Sequence, residues 1–264
     1  MYISFILIGY FTSYYFLKIL IPFLKKNLLD FPNKRSLHKF PIPRGGGIIF
    51  PIQSIFIILL SGDIVPLICL PLAIVGFIDD KFNLSSVFRF SVQFITSLLI
   101  IFFSPFLLNN LQDFGSLNLL ILPFLILTFT AFINFTNFMD GIDGLVGSCF
   151  LIGFLFIGLA NNPILFIFVG TIAGFLKWNW NPAKIFMGDV GSTFLAAYFL
   201  TNLFRLNSLE DIIAIFLVLS PLSMDALFCV IRRYNCGHNI FTPHKLHLYQ
   251  RLCQAGLSHS KVTL

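Results

Sequence analysis

The sequence predicts an all-α, polytopic integral membrane protein that forms one domain over residues 1–264. Hydrophobic residues make up 57% of the chain and charged residues only 11%, which is too apolar for a soluble globular domain. A helix needs about 20 apolar residues to cross a bilayer. The chain offers about nine apolar stretches near that length, and no loop between them is long enough for a separate soluble domain.

Each predicted span is an apolar run that ends at a short polar, glycine-rich or proline-containing break. In chain order, the predicted spans are Ile3 to Phe23, Gly46 to Leu60, Ile64 to Ile78, Phe88 to Leu108, Leu117 to Phe135, Leu145 to Ala160, Pro163 to Lys177, Val190 to Phe204 and Ile212 to Ile231. Several of these runs are short, so their ends are the least certain part of the prediction.

Basic residues predict the orientation. They concentrate in alternate loops, at Lys25, Lys26, Lys34, Arg35, Lys39, Arg44, Lys81, Arg89, Lys177, Lys184, Arg232, Arg233, Lys245, Arg251 and Lys261. The other side has only Arg205. By the positive-inside rule the basic side is cytoplasmic, the N-terminus is outside, and the protein lies in the cytoplasmic membrane. The net charge of +6 therefore reflects topology and an anionic lipid or nucleotide substrate, and we expect no nucleic-acid partner.

Acidic and amide side chains cluster on this cytoplasmic face, where they need a ligand, a metal or a partner. Asp79 and Asp80 end the third span. Adjacent helical residues point about 100° apart, so we expect the two carboxylates to have different roles. A solvated helix end is the structural alternative. Asp225, inside the ninth span, is a functional candidate unless a neighbouring helix satisfies it.

A polar residue recurs at every third position in the run Asn134, Asn137, Asp140 and Asp143. One continuous helix would turn Asn134 away from Asp143, because three steps of 300° carry the row about half a turn round. Glycines at 141 and 144 offer a break. We expect the broken helix to present Asn137, Asp140 and Asp143 toward a common point. A polar contact between helices is the alternative, and it explains one such residue better than four.

Asp189 lies in the string Gly188-Asp-Val-Gly-Ser192, which opens the eighth span. A carboxylate at a helix start between small residues suits a hard divalent cation and a nearby pyrophosphate. A helix N-cap is the structural alternative. The glycine run after Arg44 allows either close helix packing or a turn that contacts phosphate.

His244 and His247 lie in a basic cytoplasmic segment together with Lys245 and Arg251. The spacing matches no familiar zinc finger or ribbon, although zinc remains an alternative. Cationic imidazole, ammonium and guanidinium groups suit phosphate better.

Taken together, these clusters resemble the polyprenyl-phosphate N-acetylhexosamine-1-phosphate transferases. The matching strings are Pro32-Asn-Lys-Arg-Ser-Leu-His38, Pro43-Arg-Gly-Gly-Gly47, Gly76-Phe-Ile-Asp-Asp80, the run from Asn134 to Gly144, Phe186-Met-Gly-Asp-Val-Gly-Ser192 and His244-Lys-Leu-His247-Leu-Tyr-Gln-Arg-Leu252. The resemblance runs in order from about residue 30 to the C-terminus. The spaced His-x-x-His is similar to the N-acetylglucosamine branch rather than to the muramyl-pentapeptide branch, which has a His-His-His triplet.

The resemblance implies transfer of a sugar 1-phosphate from a UDP-N-acetylhexosamine to undecaprenyl or another polyprenyl phosphate, with release of UMP and with Mg²⁺ or Mn²⁺ as cofactor. It assigns the metal to Asp189 and the uracil to Phe186. We expect catalysis from Asp79, Asp80, Asp140 and Asp143. We expect substrate binding from Asn134, Asn137, Phe186, His244, His247, Arg251 and Arg44.

The acceptor phosphate is already largely dianionic at neutral pH, which favours direct in-line displacement, while a covalent aspartyl-phosphate route stays open. The resemblance also implies one more span after the His244 segment, so we expect this chain to lack a last helix. A transporter is the competing function, but it would place its acids near mid-bilayer in repeated halves. The identity of the hexosamine and the formation of a homodimer are left open.

Overall fold

The structure is a computed structural model, and it describes residues 1–32, 37–38, 40–112, 118–160, 162–238 and 245–264. Most of this is helical. The helices are α1 Tyr2–Asn27, α2 Ile49–Ser61, α3 Leu70–Phe82, α4 Ser86–Phe102, α5 Pro105–Gln112, α6 Asn118–Met139, α7 Leu145–Ala160, α8 Phe166–Asn179, α9 Asp189–Leu203, α10 Leu209–Val218, α11 Ser220–Asn235, α12 Leu248–Gln254 and α13 His259–Thr263. Short 3₁₀ helices precede α2, α3 and α8 at Gly46–Ile48, Val65–Cys69 and Pro163–Leu165. Strands β1 (Leu29–Asp30) and β2 (Ile42–Pro43) form one antiparallel pair.

Helix α9 is the centre of the molecule. Every one of its 15 residues is buried, including the polar ones. A helix that is buried on all sides must be surrounded by other helices, and α3 and α6 pack along α9. The first residue of α9 is Asp189, so the packing fixes the position of this carboxylate in the molecule.

Helices α1 and α8 pack with their backbones in contact. A Cβ atom at Gly9 would lie 1.8 Å from the carbonyl oxygen of Ile167, and one at Gly170 would lie 2.0 Å from that of Ile6. Only glycine permits this approach, which is typical of helix pairs in membranes. The other side of α1 exposes six large apolar side chains at intervals of four residues, at Ile3, Leu7, Phe11, Tyr15, Ile19 and Phe23. Such a stripe fits contact with lipid.

Within the described part of the chain, α1 and Leu119–Met139 of α6 are long and apolar enough to cross a bilayer, judged by length and composition. The pair α10 and α11 adds a third span if it is counted as one. The shorter apolar helices coincide with other predicted spans. The count of nine spans and the outside location of the N-terminus remain predictions.

Two predicted spans are not continuous helices. The span Phe88 to Leu108 is divided, because α4 ends at Phe102 and α5 begins at Pro105. The last predicted span is bent by 66° between α10 and α11. Pro221 lies in the first turn of α11, where its ring is tolerated but cannot continue the ladder of the preceding helix.

Candidate active site

The site begins where α3 meets the first turn of α9. A Cβ atom at Gly76 would lie 2.6 Å from the carbonyl carbon and oxygen of Asp189, so the two backbones touch. This contact brings Asp80 to the N-terminus of α9. One Asp80 oxygen accepts a hydrogen bond from the Asp189 N–H at 2.9 Å, and the other accepts one from the Val190 N–H at 3.2 Å. Asp80 therefore caps α9 from a different helix and satisfies two of its free amides.

Two arginines connect the carboxylates of the site. Arg44 places its Nε 2.6 Å from Asp80 Oδ1 and donates through Nη2 to Asp189 Oδ1. Arg89 Nη1 lies 2.9 Å from Asp79 Oδ2 and 3.3 Å from Asp189 Oδ2. The three carboxylates are almost fully buried, whereas about a third of each arginine side chain is exposed. Three acids and two guanidinium groups thus form one network, with Asp189 at its centre.

Asp79 and Asp80 face different partners, as their adjacent positions on a helix predict. Both Asp80 oxygens are engaged by α9, whereas Asp79 accepts from the Leu84 N–H at 2.6 Å and pairs with Arg89. Asp80 thus holds the framework of the site, and Asp79 lines it beside Asp189.

The glycine run after Arg44 serves close packing. The Gly46 N–H donates to Phe186 O and the Gly47 N–H to Met187 O, both at 2.9 Å. A Cβ atom at Gly47 would lie 2.3 Å from the Cα atom of Gly191. The sequence left packing and phosphate contact open, and these contacts account for the glycines as packing residues. The pairing of this segment with residues 186–187 places Arg44 over the acids.

The start of α9 also needs a glycine at position 188. Gly188 has φ +77°, a conformation that side-chain-bearing residues rarely adopt, and a Cβ atom there would lie 2.4 Å from Asp80 Oδ2. The glycine therefore gives the cap room to form.

The polar run of residues 134–143 crosses the end of a helix, as the sequence predicts. Helix α6 ends at Met139, and Gly144, with φ +78°, precedes α7. Asn137 donates to Asp189 Oδ2 at 3.2 Å and accepts from the Ser192 hydroxyl at 2.7 Å. Asn134 instead donates to Gln93 Oε1 at 2.6 Å, which joins α6 to α4. Its substrate-binding role remains a prediction.

Asp140 lies in the turn after α6. The pKa of its carboxyl is raised to about 7, because burial and the negative charges of Asp189 and Asp80 outweigh the lowering effect of Arg44. The pKa of Asp140 therefore depends on the charge of the acidic site, although no hydrogen bond joins Asp140 to that site among the described residues.

Asp143 contacts other groups, which corrects the expectation that it converges with Asn137 on one point. Its Oδ2 accepts from the Ala183 N–H at 3.1 Å and lies 3.3 Å from His259 Nδ1. Gly144 donates to Asn179 at 3.0 Å, so this turn is fastened to the segment that leads into α9. The break at Gly144 turns Asp143 toward that segment.

Helix α12 is capped in the same way as α9. Asp225 of α11 accepts from the Leu248 N–H at 2.8 Å and from the Tyr249 N–H at 3.1 Å. His247 is the N-cap residue of α12 and forms a capping box with Gln250. Its Nδ1 lies 3.6 Å from Asp225 Oδ1. The sequence left open whether Asp225 is functional or is satisfied by a neighbouring helix, and the amides of α12 satisfy it. His244 lies outside the described residues.

A cavity of about 490 Å³ opens between α11 and α12. Its walls are largely apolar, and two arginines, Arg232 and Arg251, also line it. Arg232 donates to the Leu246 carbonyl at 2.9 Å. Arg251, predicted to bind substrate, therefore lies beside an apolar groove. Phe186 lies edge-on to His38 with ring centroids 5.0 Å apart, and its contact with uracil remains a prediction.

Sequence reasoning missed Arg89, Ser192 and His259 as parts of this network. Arg89 was used only as a marker of orientation, although an arginine in an apolar helix needs a partner. Ser192 is separated from Asp189 by about one helical turn, so its contact with Asn137 could have been anticipated from helical spacing. No local signal pairs His259 with Asp143, because 116 residues separate them.

The residues present suit a divalent cation. Among the residues that the structure describes, no three His, Cys, Asp or Glu side chains form a closed ligand cluster. However, one cationic nitrogen, Arg89 Nη1, already bridges an oxygen of Asp79 and an oxygen of Asp189. Mg²⁺ and Mn²⁺ prefer such carboxylate oxygens. Asp189 and Asp79 would hold the ion.

The sequence profile of glycosyl transferase family 4 matches residues 64–207, which include Asp79, Asp80, Asn137, Asp140 and Asp189. The chain belongs to glycosyl transferase family 4. A probable undecaprenyl-phosphate N-acetylglucosaminyl 1-phosphate transferase of Bacillus subtilis is 29% identical over 96% of this chain and 79% of the relative.

Two further relatives of this family member cover 90% of the chain. An undecaprenyl-phosphate alpha-N-acetylglucosaminyl 1-phosphate transferase of Thermotoga maritima is 31% identical, with 77% of its own length aligned. A phospho-N-acetylmuramoyl-pentapeptide-transferase of Wolbachia pipientis is 32% identical, with 88% aligned. The similarity thus includes relatives named for two different donor sugars.

Proposed function

We propose that this protein transfers N-acetylglucosamine 1-phosphate from its UDP-sugar to undecaprenyl or another polyprenyl phosphate and releases UMP. The observation that carries the proposal is the network of Asp79, Asp80 and Asp189 with Arg44 and Arg89. All of its members except Arg44 lie within the residues that the family profile matches. The reaction would be the first membrane step of cell-envelope polysaccharide synthesis, on the cytoplasmic face of the cytoplasmic membrane.

The main obstacle to this reaction is charge, because a phosphate dianion must approach a pyrophosphate. An acceptor oxygen forms a bond to the phosphorus that carries the sugar, and the bond from that phosphorus to UMP breaks. When bound, Mg²⁺ or Mn²⁺ supplies positive charge that offsets the repulsion. The protein contributes Arg44 and Arg89, whose guanidinium groups bind phosphate oxygens well.

The arginines must exchange partners for substrate to enter. A cavity beside Asp189 has a volume of only about 10 Å³, roughly one water. Both arginine side chains are about one-third exposed, so they can turn from Asp189 toward the phosphates without crossing the core. Asp80 stays on the α9 amides and keeps Asp189 in place.

The phosphate of the acceptor is itself the nucleophile, so Asp79 is needed only to orient this phosphate or to accept its residual proton. We favour direct displacement; an aspartyl-phosphate on Asp79 is the alternative. The groove between α11 and α12 suits an amphiphile with an apolar chain and an anionic head, because Arg232 and Arg251 accompany its apolar walls. We assign the polyprenyl chain to this groove.

The first test is the reaction itself. Purified protein is incubated with Mg²⁺, undecaprenyl phosphate and each of a panel of donors that includes UDP-N-acetylglucosamine and UDP-N-acetylmuramoyl-pentapeptide. We expect UMP and lipid-linked sugar from the first donor. Product from the muramyl donor alone would move the protein to the other branch, and solute flux without UMP would indicate a transporter.

Asp189→Asn tests the assignment of the metal. It keeps the size of the side chain but removes one negative charge from the proposed ion site, so we expect turnover to fall by at least about 100-fold. Asp63→Asn is the matched control, because Asp63 also pairs with an arginine, Arg205, but lies at the far end of α9. Near-normal turnover of Asp189→Asn at ordinary Mg²⁺ would remove Asp189 from the metal site.

A further inference from the structure

Tyr249 of α12 reaches across to the turn that carries Asp140. Its hydroxyl donates to the carbonyl oxygen of Phe138 at 3.0 Å. The same hydroxyl lies over Gly141, where a Cβ atom would be 2.1 Å from it. The phenol thus contacts the residues on both sides of the Met139-Asp140 pair.

The end of α6 needs this contact. The last carbonyls of a helix have no partner within the helix, and Phe138 O is one of them. In the part of the chain that the structure describes, the backbone hydrogen bond that joins Asp140 to α6 is a long one, from its N–H to Asn137 O at 3.4 Å. Among the described residues, Tyr249 is the one side chain with a hydrogen bond to the Phe138 carbonyl. Without it, the position of the Asp140 turn would depend on weaker contacts.

The donor is available at any working pH. Tyr249 is 4% exposed. Burial raises the pKa of the phenol, and the negative charges of Asp140 and Asp225 raise it further. The hydroxyl therefore keeps its proton and donates it continuously.

Tyr249 is itself held from the other side. Its backbone N–H is one of the two that Asp225 caps, so α11 fixes the start of α12 and α12 fixes the phenol. A continuous series of contacts therefore leads from Asp225 through Tyr249 to the turn with Asp140. The segment just before α12 contains His244 and His247, the histidines that are predicted to bind substrate.

We infer that Tyr249 is a positioning residue for the transfer reaction: its hydroxyl holds the end of α6 over Gly141 and so sets the position of Asp140. The inference rests on the proposed function, in which Asp140 acts in the transfer. Tyr249 does not touch the reacting atoms in this account. Its contribution is to join the start of α12 to the turn that carries Asp140.

The test uses four full-length proteins: wild type, Tyr249→Phe, Gly141→Ala and the double variant. Tyr249→Phe keeps the ring and removes the donor, so kcat should fall roughly fivefold, in the range of one neutral hydrogen bond, while the KM for donor changes less than about twofold. Gly141→Ala should lower kcat further, because its methyl group collides with the hydroxyl. Tyr234→Phe, at a side chain that is 74% exposed, is the control and should leave kcat unchanged.

The double variant decides the question. Removing the hydroxyl removes the nearest atom to the new methyl group, so Gly141→Ala with Tyr249→Phe should be more active than Gly141→Ala alone. General destabilisation would instead make the double variant worse than either single one. Absence of suppression, or normal kcat in Tyr249→Phe, would overturn the role of Tyr249. Failure of the wild-type protein to release UMP would overturn the proposed function and the positioning role with it.

Discussion

Helices α9 and α12 begin with the same kind of cap but differ in what surrounds that cap. Each helix has its first amides capped by an aspartate from another helix, α9 by Asp80 of α3 and α12 by Asp225 of α11. In both cases two successive N–H groups donate to the two oxygens of one carboxylate. Such a cap gives the unpaired amides at the start of the helix a hydrogen-bond partner and places a negative charge at the positive end of the helix dipole.

The surroundings give the two caps different consequences. The Asp80 side chain has no exposed surface, Arg44 pairs with it, and all 15 residues of the capped helix are buried. Helix α12 has seven residues, and two of its leucines, Leu248 and Leu252, are at least one-third exposed. Disturbing the first cap must therefore disturb the core, whereas the second cap can open locally.

This difference fits the proposed reaction. The acids that hold a divalent ion need fixed positions, and a cap inside the core provides them. A segment that binds substrate must also admit and release it, which a short, partly exposed helix on a single cap permits. One kind of contact therefore supports a rigid region and an adjustable region in the same site.

The largest expected effect is that of Asp80→Asn. The amide of the fully buried residue 80 side chain cannot accept from two N–H groups and Arg44 at once, and Arg44 loses one of its two carboxylate partners, so we expect about 3–5 kcal/mol of lost stability. Thermal unfolding in detergent measures it. Asp79→Asn is the matched variant, because Asp79 is the neighbouring residue in α3. This variant should lose turnover while it keeps most of its stability. Equal loss of stability in the two variants would contradict the separation of roles.

The second effect tests the contact at the α9 cap. Gly188→Ala and Gly62→Ala both place alanine at a positive φ, +77° and +72°, which costs each about 1 kcal/mol. Only at Gly188 does the new Cβ meet a carboxylate oxygen, 2.4 Å away on Asp80; at Gly62 nothing lies within 4 Å. Gly188→Ala should therefore lower the unfolding temperature further and also lose activity. If the two variants unfold at the same temperature, Asp80 does not depend on Gly188.

Local patterns predicted much of the fold. Apolar runs gave the positions of most helices, and the glycines after Asp140 predicted the end of α6. The breaks at Phe103 and Leu219 were missed because a mean hydropathy does not register a bend between two apolar helices. The 66° bend matters for the site, because α11 carries Asp225 to the start of α12.

The site was predictable in its acids and less so in their partners. Asp79, Asp80, Asn137 and Asp189 do meet, and helix geometry predicted that the adjacent aspartates would face different ways. The capping of α9 by Asp80 was not predicted, since it joins residues 109 positions apart. The same limit hid the contact of Asp143 with His259. Side chains that pair across the fold leave no trace in local spacing.

The smallest expected effect on stability is that of Asp225→Ala, and it completes the comparison. Losing this cap should cost the seven-residue helix α12 about 1 kcal/mol, a typical value for a helix cap. Because α12 is partly exposed and short, the loss should appear as local opening, with the unfolding temperature of the whole protein nearly unchanged.

Asp225→Ala should change the KM values although it leaves the unfolding temperature nearly unchanged. Helix α12 carries one wall of the proposed polyprenyl groove and follows the segment with the predicted substrate-binding histidines. An α12 that is less ordered before substrate binds must be ordered on binding, so the KM for polyprenyl phosphate and the KM for UDP-sugar should both rise, by up to about fivefold. Hydrogen exchange of the Leu248 and Tyr249 amides gives an independent readout and should become faster. Asp211→Ala, at an exposed carboxylate in the first turn of α10, is the control and should change neither quantity. A loss of global stability as large as that of Asp80→Asn would show that the second cap, like the first, belongs to the rigid core.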